Sequence, residues 1–109
     1  MKIYSKIAIC SCIISTITLS NNMQEIFSDI YEKHFWGGGK ETVSGSGSTL
    51  KATKTIRKEL PKLLKKNDIK SMLDIPCGDF NWMKHIDLSG ISYIGADIVP
   101  NLIKKNNKL

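Results

Sequence analysis

Cysteine and histidine are scarce in this sequence, and their spacing excludes several kinds of site. The 109 residues include three cysteines and two histidines, with no CxxC or HxxxH pair among them. Zinc sites need several such ligands at short spacing, and His34 and His85 are too isolated to form a ligand set, so no metal is predicted. Cys10 and Cys12 lie together in an apolar segment, where they could be lipidated, buried or without a role, and only Cys77 lies elsewhere. No disulfide framework is therefore indicated.

The sequence also lacks an apolar run long enough for a comfortable bilayer span, which needs about 20 residues. Residues 7–19 form a 13-residue stretch without charge that follows Lys2 and Lys6 and ends near the small residue Ser20. This layout is typical of a secretory signal. An interfacial helix with membrane contact through residues 7–19, or an extension outside the working protein, are alternatives. We predict a signal-like or anchor-like leader over residues 1–22, so the location is cytoplasmic, membrane-tethered or exported.

Internal repeats, low-complexity tracts and a clustered basic patch are absent as well. The chain has 16 Lys and Arg against 10 Asp and Glu, a formal net charge of +6, and these charges are spread along the sequence. This balance is compatible with nucleic acid, with an anionic membrane or with ordinary solubility, and it gives no specific nucleic-acid signal. A length of 109 residues with 41% hydrophobic composition predicts one small globular domain.

A strand, a tight turn and a helix start are predicted within residues 72–83, MLDIPCGDFNWM. The apolar run at its beginning has the length of a strand, and Pro76 and Gly78 stop it. Asp79 or Asn81 can cap a short helix that continues to residue 87, with its apolar side chains toward the sheet. Strand, turn and helix in this order open a βαβ unit of the α/β class.

A second strand is predicted over residues 92–99, SYIGADIV, and Pro100 ends it and begins another helix. In a parallel sheet, ligands bind beyond the carboxyl ends of the strands, where the turn after the first strand and Asp97 would converge. An acidic residue at the carboxyl end of the second strand commonly binds ribose hydroxyls. Asp97 follows Asp74 by 23 residues, close to the expected spacing of roughly 20. We therefore predict a nucleotide-like cofactor.

The charge of the turn selects among such cofactors. A dinucleotide loop needs G-x-G-x-x-G so that bare backbone can approach pyrophosphate, whereas this turn has one glycine and an aspartate. A carboxylate about 5 Å from a phosphate costs on the order of 3 kcal/mol at an effective dielectric near 20. A positively charged cofactor without phosphate, such as S-adenosylmethionine, fits Asp74, Asp79 and Asp97.

These residues resemble the class I S-adenosylmethionine-dependent methyltransferases. LDIPCGDF stands at that family's glycine-rich first motif and YIGADIV at its second strand, although Pro76 and Phe80 replace the first and third glycines. A subgroup of bacterial-type methyltransferase-domain proteins shares this variant, with preceding segments similar to FSDIYEKHFWG and SGSGSTL. The resemblance covers residues 23–109 and implies a Rossmann-like fold and methyl transfer to an unidentified acceptor. The cofactor contacts that it implies are Asp74, Pro76, Cys77, Gly78, Asp79, Asp97 and Ile98.

Two segments precede this unit. Residues 23–36 have apolar side chains at helical spacing and end at three glycines, which predicts a helix that packs on the sheet or, through Trp36, covers a ligand. Residues 41–49, ETVSGSGST, predict a loop that closes over the methionine end of the cofactor or serves as a flexible linker. Residues 23–49 therefore form an N-terminal helix and a Gly/Ser-rich loop.

Residues 50–66 predict a sheet-covering helix, with apolar positions mostly on one face and basic residues on the other. Pro61 is expected to break or restart this helix near Leu60. Residues 50–109 would then be the N-terminal half of a Rossmann-like methyltransferase domain.

Two parallel strands alone cannot bury enough surface, because such strands are normally covered on both faces within a larger sheet. The methyltransferase family has a seven-stranded sheet, so we expect a missing C-terminal half or a partner chain, and an inactive isolated chain. No catalytic residue is predicted. A non-catalytic binding or interaction module and a nucleotide-dependent oxidoreductase fragment are the alternatives, and the latter needs phosphate contacts that this turn disfavours.

Overall fold

The computed structural model describes the backbone of residues 2–4 and 14–109 and the side chains from residue 22 onward. The strands are β1 (Lys2–Tyr4), β2 (Ser71–Asp74) and β3 (Ser92–Ala96). The α-helices are α1 (Ile14–Glu32), α2 (Lys54–Lys66) and α3 (Pro100–Asn106), and single 3-10 turns occupy Ser46–Ser48 and Met83–His85.

The sheet is parallel, and β3 lies between β1 and β2. Leu73 of β2 is opposite Ile94 of β3, and Asp74 is opposite Gly95. The carboxyl ends of both strands therefore meet at one edge of the sheet, as expected for a small α/β unit. The second strand is shorter than predicted, because it ends at Ala96 and the Asp97 side chain begins a turn there.

The β2 strand lies at an edge of this sheet. Its Leu73 side chain is 62% exposed, and Ile75 just after it is 47% exposed. The part of the chain that the structure describes does not cover these two side chains. The partner segment expected from the sequence stays a prediction.

The prediction for α2 is partly wrong. Pro61 lies inside a continuous helix rather than breaking it, and Asn67 ends the helix as a C-cap. Leu64 is buried and Leu60 packs on the core, but Leu63 is 57% exposed. Ile56 is 46% exposed. At about 100° per residue, the exposed pair lies on a flank next to the stripe that faces the core, so this helix is less amphipathic in its packing than its sequence suggests.

The N-terminal helix starts earlier than predicted. It begins at Ile14 and ends at Glu32, so the boundary expected after residue 22 falls inside α1. Residues 2–4 pair with β3, whereas residues 5–13 lie outside the described part. The leader interpretation, including membrane contact through residues 7–19, stays a prediction. No helix in the described ranges 2–4 and 14–109 is long and apolar enough to cross a bilayer.

The helix expected over residues 81–87 is absent, and a 3-10 turn replaces it. Phe80 has a positive φ of 59°, and the Asp79 carboxylate accepts a bond of 3.2 Å from the Asn81 amide. Such local side-chain bonds compete with helical ones and favour a turn. The predicted inward direction of Met83 and Ile86 is nevertheless confirmed, since both are buried.

Among the described residues, three apolar clusters hold the elements together; the smallest pairs Cys77 with Ile103, and the other two are larger. The first joins the 3-10 turn to the sheet and contains Phe80, Met83, Ile86 and Tyr93. The second joins α1 to α3 and contains Tyr31, Val99 and Leu102, with Phe27 and Val43 packed against it. Because Val43 belongs to the Gly/Ser-rich loop, this second cluster also brings that loop to the edge where the strands end.

Candidate functional site

The turns after β2 and β3 meet at the carboxyl edge of the sheet. The Cys77 amide donates to the Ala96 carbonyl at 2.8 Å. The Asp97 carboxylate accepts from the Gly78 amide at 3.0 Å and from the Val99 amide at 2.9 Å. The expectation that Asp97 and the first turn converge is thus confirmed in space, and Asp97 joins the two turns.

Residues 41–49, which we call the strap, are bound to the first turn rather than free. The Asp79 carboxylate accepts from the Thr42 hydroxyl at 2.6 Å and from the Val43 amide at 2.7 Å. In return, the Asp79 amide donates to the Ser44 hydroxyl at 2.9 Å. The Asn81 side-chain amide donates to the Ser48 carbonyl at 3.0 Å. The flexible-linker interpretation is therefore wrong for this segment, since it is docked on residues 79–81.

Gly78 allows the strap to dock. Its φ is +55°, and a Cβ built on it would overlap the Ser44 hydroxyl oxygen. Glycine is therefore needed here for two reasons: the backbone is left-handed, and a side chain would block the close approach of Ser44.

We expect Gly78→Ala to destabilise the fold by about 1–3 kcal/mol, from the strained backbone together with displacement of Ser44. Urea unfolding measures this change. Gly47→Ala is the matched control, because Gly47 lies in the strap with open space around its Cβ position and no positive φ. Equal unfolding free energies for the two variants would contradict this role of Gly78.

A cavity of about 190 Å³ lies between the strap, the first turn and the end of α1. Its aromatic lining is Tyr31, Trp36 and Trp82, and its acidic lining is Asp74 and Asp79. The Trp36 ring meets the Tyr31 ring edge to face, with centroids 5.1 Å apart and planes at 71°. Trp36 and Tyr31 therefore form one packed aromatic part of the cavity wall.

The remaining lining comes from the strap and the first turn: Ser44, Ser48, Pro76, Cys77 and Gly78.

Asp74 is one of the two half-buried carboxylates of this cavity. Its Oδ2 accepts a bond of 2.6 Å from the hydroxyl of Tyr93, a residue that is 2% exposed. Burial raises the pKa of Asp74 above its usual value, the Tyr93 hydrogen bond opposes this, and the nearby Asp97 charge adds to it. Burial and the Asp74 charge likewise raise the pKa of Tyr93. Tyr93 therefore remains the donor in this pair.

Cys77 is not activated for nucleophilic chemistry. Burial, followed by the charges of Asp97 and Asp74, raises the pKa of its thiol to about 12. The thiol is protonated at neutral pH, and a thiolate is the form that attacks or binds metal. Within the described ranges, no group of three or more His, Cys, Asp and Glu side chains could hold a metal ion.

The cofactor contacts implied by the sequence separate into two groups. Five of them line the cavity: Asp74, Pro76, Cys77, Gly78 and Asp79. Asp97 and Ile98 are not among the lining residues. Asp97 is 6% exposed and contacts the Gly78 amide, and Ile98 is 36% exposed.

Sequence reasoning missed two residues that support the first turn. Asn106 of α3 is 2% exposed and donates from its side chain to the Gly78 carbonyl at 2.8 Å. No signal in the sequence marks it. Tyr93, which holds Asp74, could have been found, because register places both side chains on one face of adjacent strands.

Comparison of the chain with protein-family models, with curated proteins and with solved structures found no match.

Proposed function

We propose that the 190 Å³ cavity binds the methionine portion of S-adenosylmethionine and that the protein takes part in methyl transfer. The observation that carries this proposal is the composition of the cavity wall. Three aromatic side chains and two carboxylates line it, and none of the lining residues is Lys or Arg. Such a wall favours a cation over a phosphate.

The charge argument has two parts. A sulfonium or ammonium group is attracted to the face of an aromatic ring by about 0.5–2 kcal/mol, most strongly where water is excluded. A carboxylate in the same wall adds a direct Coulomb attraction, and Asp74 is the candidate, because within the described residues it accepts a hydrogen bond from the Tyr93 hydroxyl alone. Asp79 contributes less, since internal donors from the strap already satisfy its carboxylate.

The size of the cavity decides which part of the cofactor it would hold. Whole ligand sites enclose roughly 300–1,000 Å³, and this cavity encloses about 190 Å³. We therefore propose that the cavity holds the methionine portion of the cofactor and that the adenosine portion lies outside its rim. Each Asp97 oxygen has a second lone pair for a ribose hydroxyl. Asp97 is 6% exposed, so its side chain must become more accessible to make that contact.

When bound, the cofactor would supply a methyl group carried on a sulfonium. That methyl group would bond to a lone pair of the acceptor, and the sulfonium would become a neutral thioether. This chain's own residues would bind and orient: Trp36 and Trp82 offer aromatic rings to the cation, and Asp74 fixes the charged end. No described residue is assigned as a base. The parallel strands and their converging turns are compatible with part of a Rossmann-like unit, and this finer fold belongs to the proposal.

Trp36→Ala is expected to weaken S-adenosylmethionine binding by about 0.5–2 kcal/mol, the range of a cation–π contact. Calorimetric titration of the full chain measures the affinity. Phe35→Ala is the matched control, because Phe35 is the neighbouring aromatic residue, is 65% exposed and lies outside the cavity wall.

Equal affinities for the two variants would remove Trp36 from the site, and tight NADH binding would favour the oxidoreductase alternative instead. Transfer of labelled methyl groups to cell extract tests the reaction itself. Cofactor binding without transfer would favour a non-catalytic binding module.

A further inference from the structure

A second cavity, of about 280 Å³, lies on the other side of the strap. The two cavities share Asp79, whereas Ser44 lines only the first and Thr42 and Val43 line only the second. The strap is therefore a common wall: residues 41–43 line the second cavity, and Ser44 and Ser48 line the first.

The second cavity differs from the first in that lysines as well as carboxylates line it. Lys40, Lys84 and Lys105 line it, and they come from three separate segments: the residue before the strap, the 3-10 turn and α3. Within the described residues, none of these lysines takes part in an ion pair, since those pairs involve Lys33, Lys62 and Lys70.

The carboxylates of the same wall are satisfied internally. Asp79 accepts from the Thr42 hydroxyl and the Val43 amide, and Glu41 accepts from the Asn81 side chain at 3.1 Å and from the Leu50 amide. These donors stabilise the charged form of both carboxylates without cancelling their negative charge, so an anion needs the three lysines to outweigh them. In the part of the chain that the structure describes, the three lysines have no ion-pair partner, and they outnumber the two side-chain carboxylates of a wall that also includes Leu109.

The base of this cavity is ordered and partly apolar. Leu102 is 3% exposed and belongs to the cluster that joins α1 to α3, with Val43 packed against it. Asn106 is 2% exposed and is fixed by its bond to the Gly78 carbonyl. A small ligand would therefore meet a packed base with three exposed lysines at the rim, whose long flexible side chains can adapt to one anionic group.

We propose that this second cavity is a binding site for the phosphate or carboxylate group of a small molecule, held by Lys40, Lys84 and Lys105. The site is distinct from the cofactor cavity and does not depend on the cofactor. Because the cavities share Asp79 and the strap, an anion here would lie next to whatever occupies the first cavity.

The test is titration of the full chain, without cofactor, with inorganic phosphate and separately with citrate at constant ionic strength. Saturable binding is expected for one of the two, and the tighter anion distinguishes phosphate from carboxylate chemistry. Backbone NMR shifts are expected at Thr42, Val43, Lys84 and Lys105. Absence of saturable binding by both anions, or shifts confined to α2, would overturn the proposal without bearing on cofactor binding.

Charge variants make the test specific. The triple variant Lys40→Gln/Lys84→Gln/Lys105→Gln should weaken the anion by about tenfold or more, since three attractions are lost together.

The matched control is Lys54→Gln/Lys58→Gln/Lys65→Gln, which removes the same charge from exposed positions of α2. It should bind within about twofold of the wild type, because screening limits distant charges. Equal losses in the two triple variants would show non-specific attraction and contradict the site.

Discussion

Asp74→Asn is expected to weaken S-adenosylmethionine binding while stabilising the free protein. Removing the charged partner of a cation costs about 1.5–3 kcal/mol, or about 10- to 150-fold in affinity. The stability change has the opposite sign, because burial raises the pKa of Asp74 and so disfavours its charged form in the fold. An asparagine keeps an acceptor for the Tyr93 hydroxyl and has no charge to bury.

The charge of the ligand provides the sharpest readout. S-adenosylhomocysteine lacks the sulfonium charge but keeps the rest of the cofactor, so wild type should prefer S-adenosylmethionine and Asp74→Asn should lose that preference. Calorimetry with both ligands measures it. A preference that persists in the variant would show that the charge is recognised elsewhere.

The ionisation of the Asp74 carboxyl predicts how cofactor binding depends on pH. Wild-type affinity for the cation should fall as pH decreases through the raised pKa of Asp74, since protonation removes the charge. Asp74→Asn should lack that component. Tyr93→Phe removes the hydrogen bond that opposes the shift and should move the midpoint to higher pH. An unchanged midpoint in Tyr93→Phe would contradict the coupling between the two residues.

The stability of the free protein follows from proton linkage. At pH values between the ordinary pKa of 3.8 and the raised pKa of the fold, Asp74 is protonated in a larger fraction of folded chains than of unfolded chains. The contribution of Asp74 to the free energy of unfolding therefore decreases as pH rises through this window. The difference between wild type and Asp74→Asn in urea unfolding, measured at several pH values, isolates this contribution. A variant less stable than wild type at neutral pH would contradict it.

Asp97→Ala should be the most destabilising single change. It leaves the buried amides of Gly78 and Val99 without their acceptor, at about 1–3 kcal/mol each and about 2–6 kcal/mol together. A small domain has only about 5–15 kcal/mol of stability, so a large fraction of the protein could unfold at 37 °C. Urea unfolding at low temperature measures the loss.

Asp87→Ala is the control for this prediction. Asp87 makes similar bonds to the amide and hydroxyl of Ser89, but on the exposed surface. Water can replace these bonds, so the melting temperature should barely change. Where Asp97→Ala remains folded, its affinity for S-adenosylmethionine tests the ribose contact. Similar unfolding curves for the two aspartate variants would contradict the role of Asp97 in joining the turns.

Patterns local in sequence predicted the elements of the fold well. The apolar run before Pro76 and the apolar residues of 92–99 identified β2 and β3, and parallel pairing then fixed which edge carries Asp97. Strand β1 was missed, because it lies in the segment predicted as a leader. Helix limits were less predictable. Pro61 is tolerated inside α2, and bonds made by Asp79 replace the helix expected after the first turn.

The cavity could be predicted only in part, because one of its walls depends on contacts between distant residues. The turn after β2 and Trp36 were recognised from sequence. The docking of Thr42 and Ser44 on Asp79 was not, since a Gly/Ser-rich segment has the same composition whether it is bound or free. Asn106 was missed for the same reason: its contact with Gly78 spans 28 residues.

The docked strap makes chain closure part of ligand recognition. Ser44 and Asp79 are 35 residues apart, and their hydrogen bond closes a long loop. Closing such a loop costs conformational entropy that grows with the logarithm of its length. A ligand that touches both walls would hold the loop closed and bind only the closed form. Its affinity would then include that entropy, and its presence should raise the unfolding midpoint with increasing concentration.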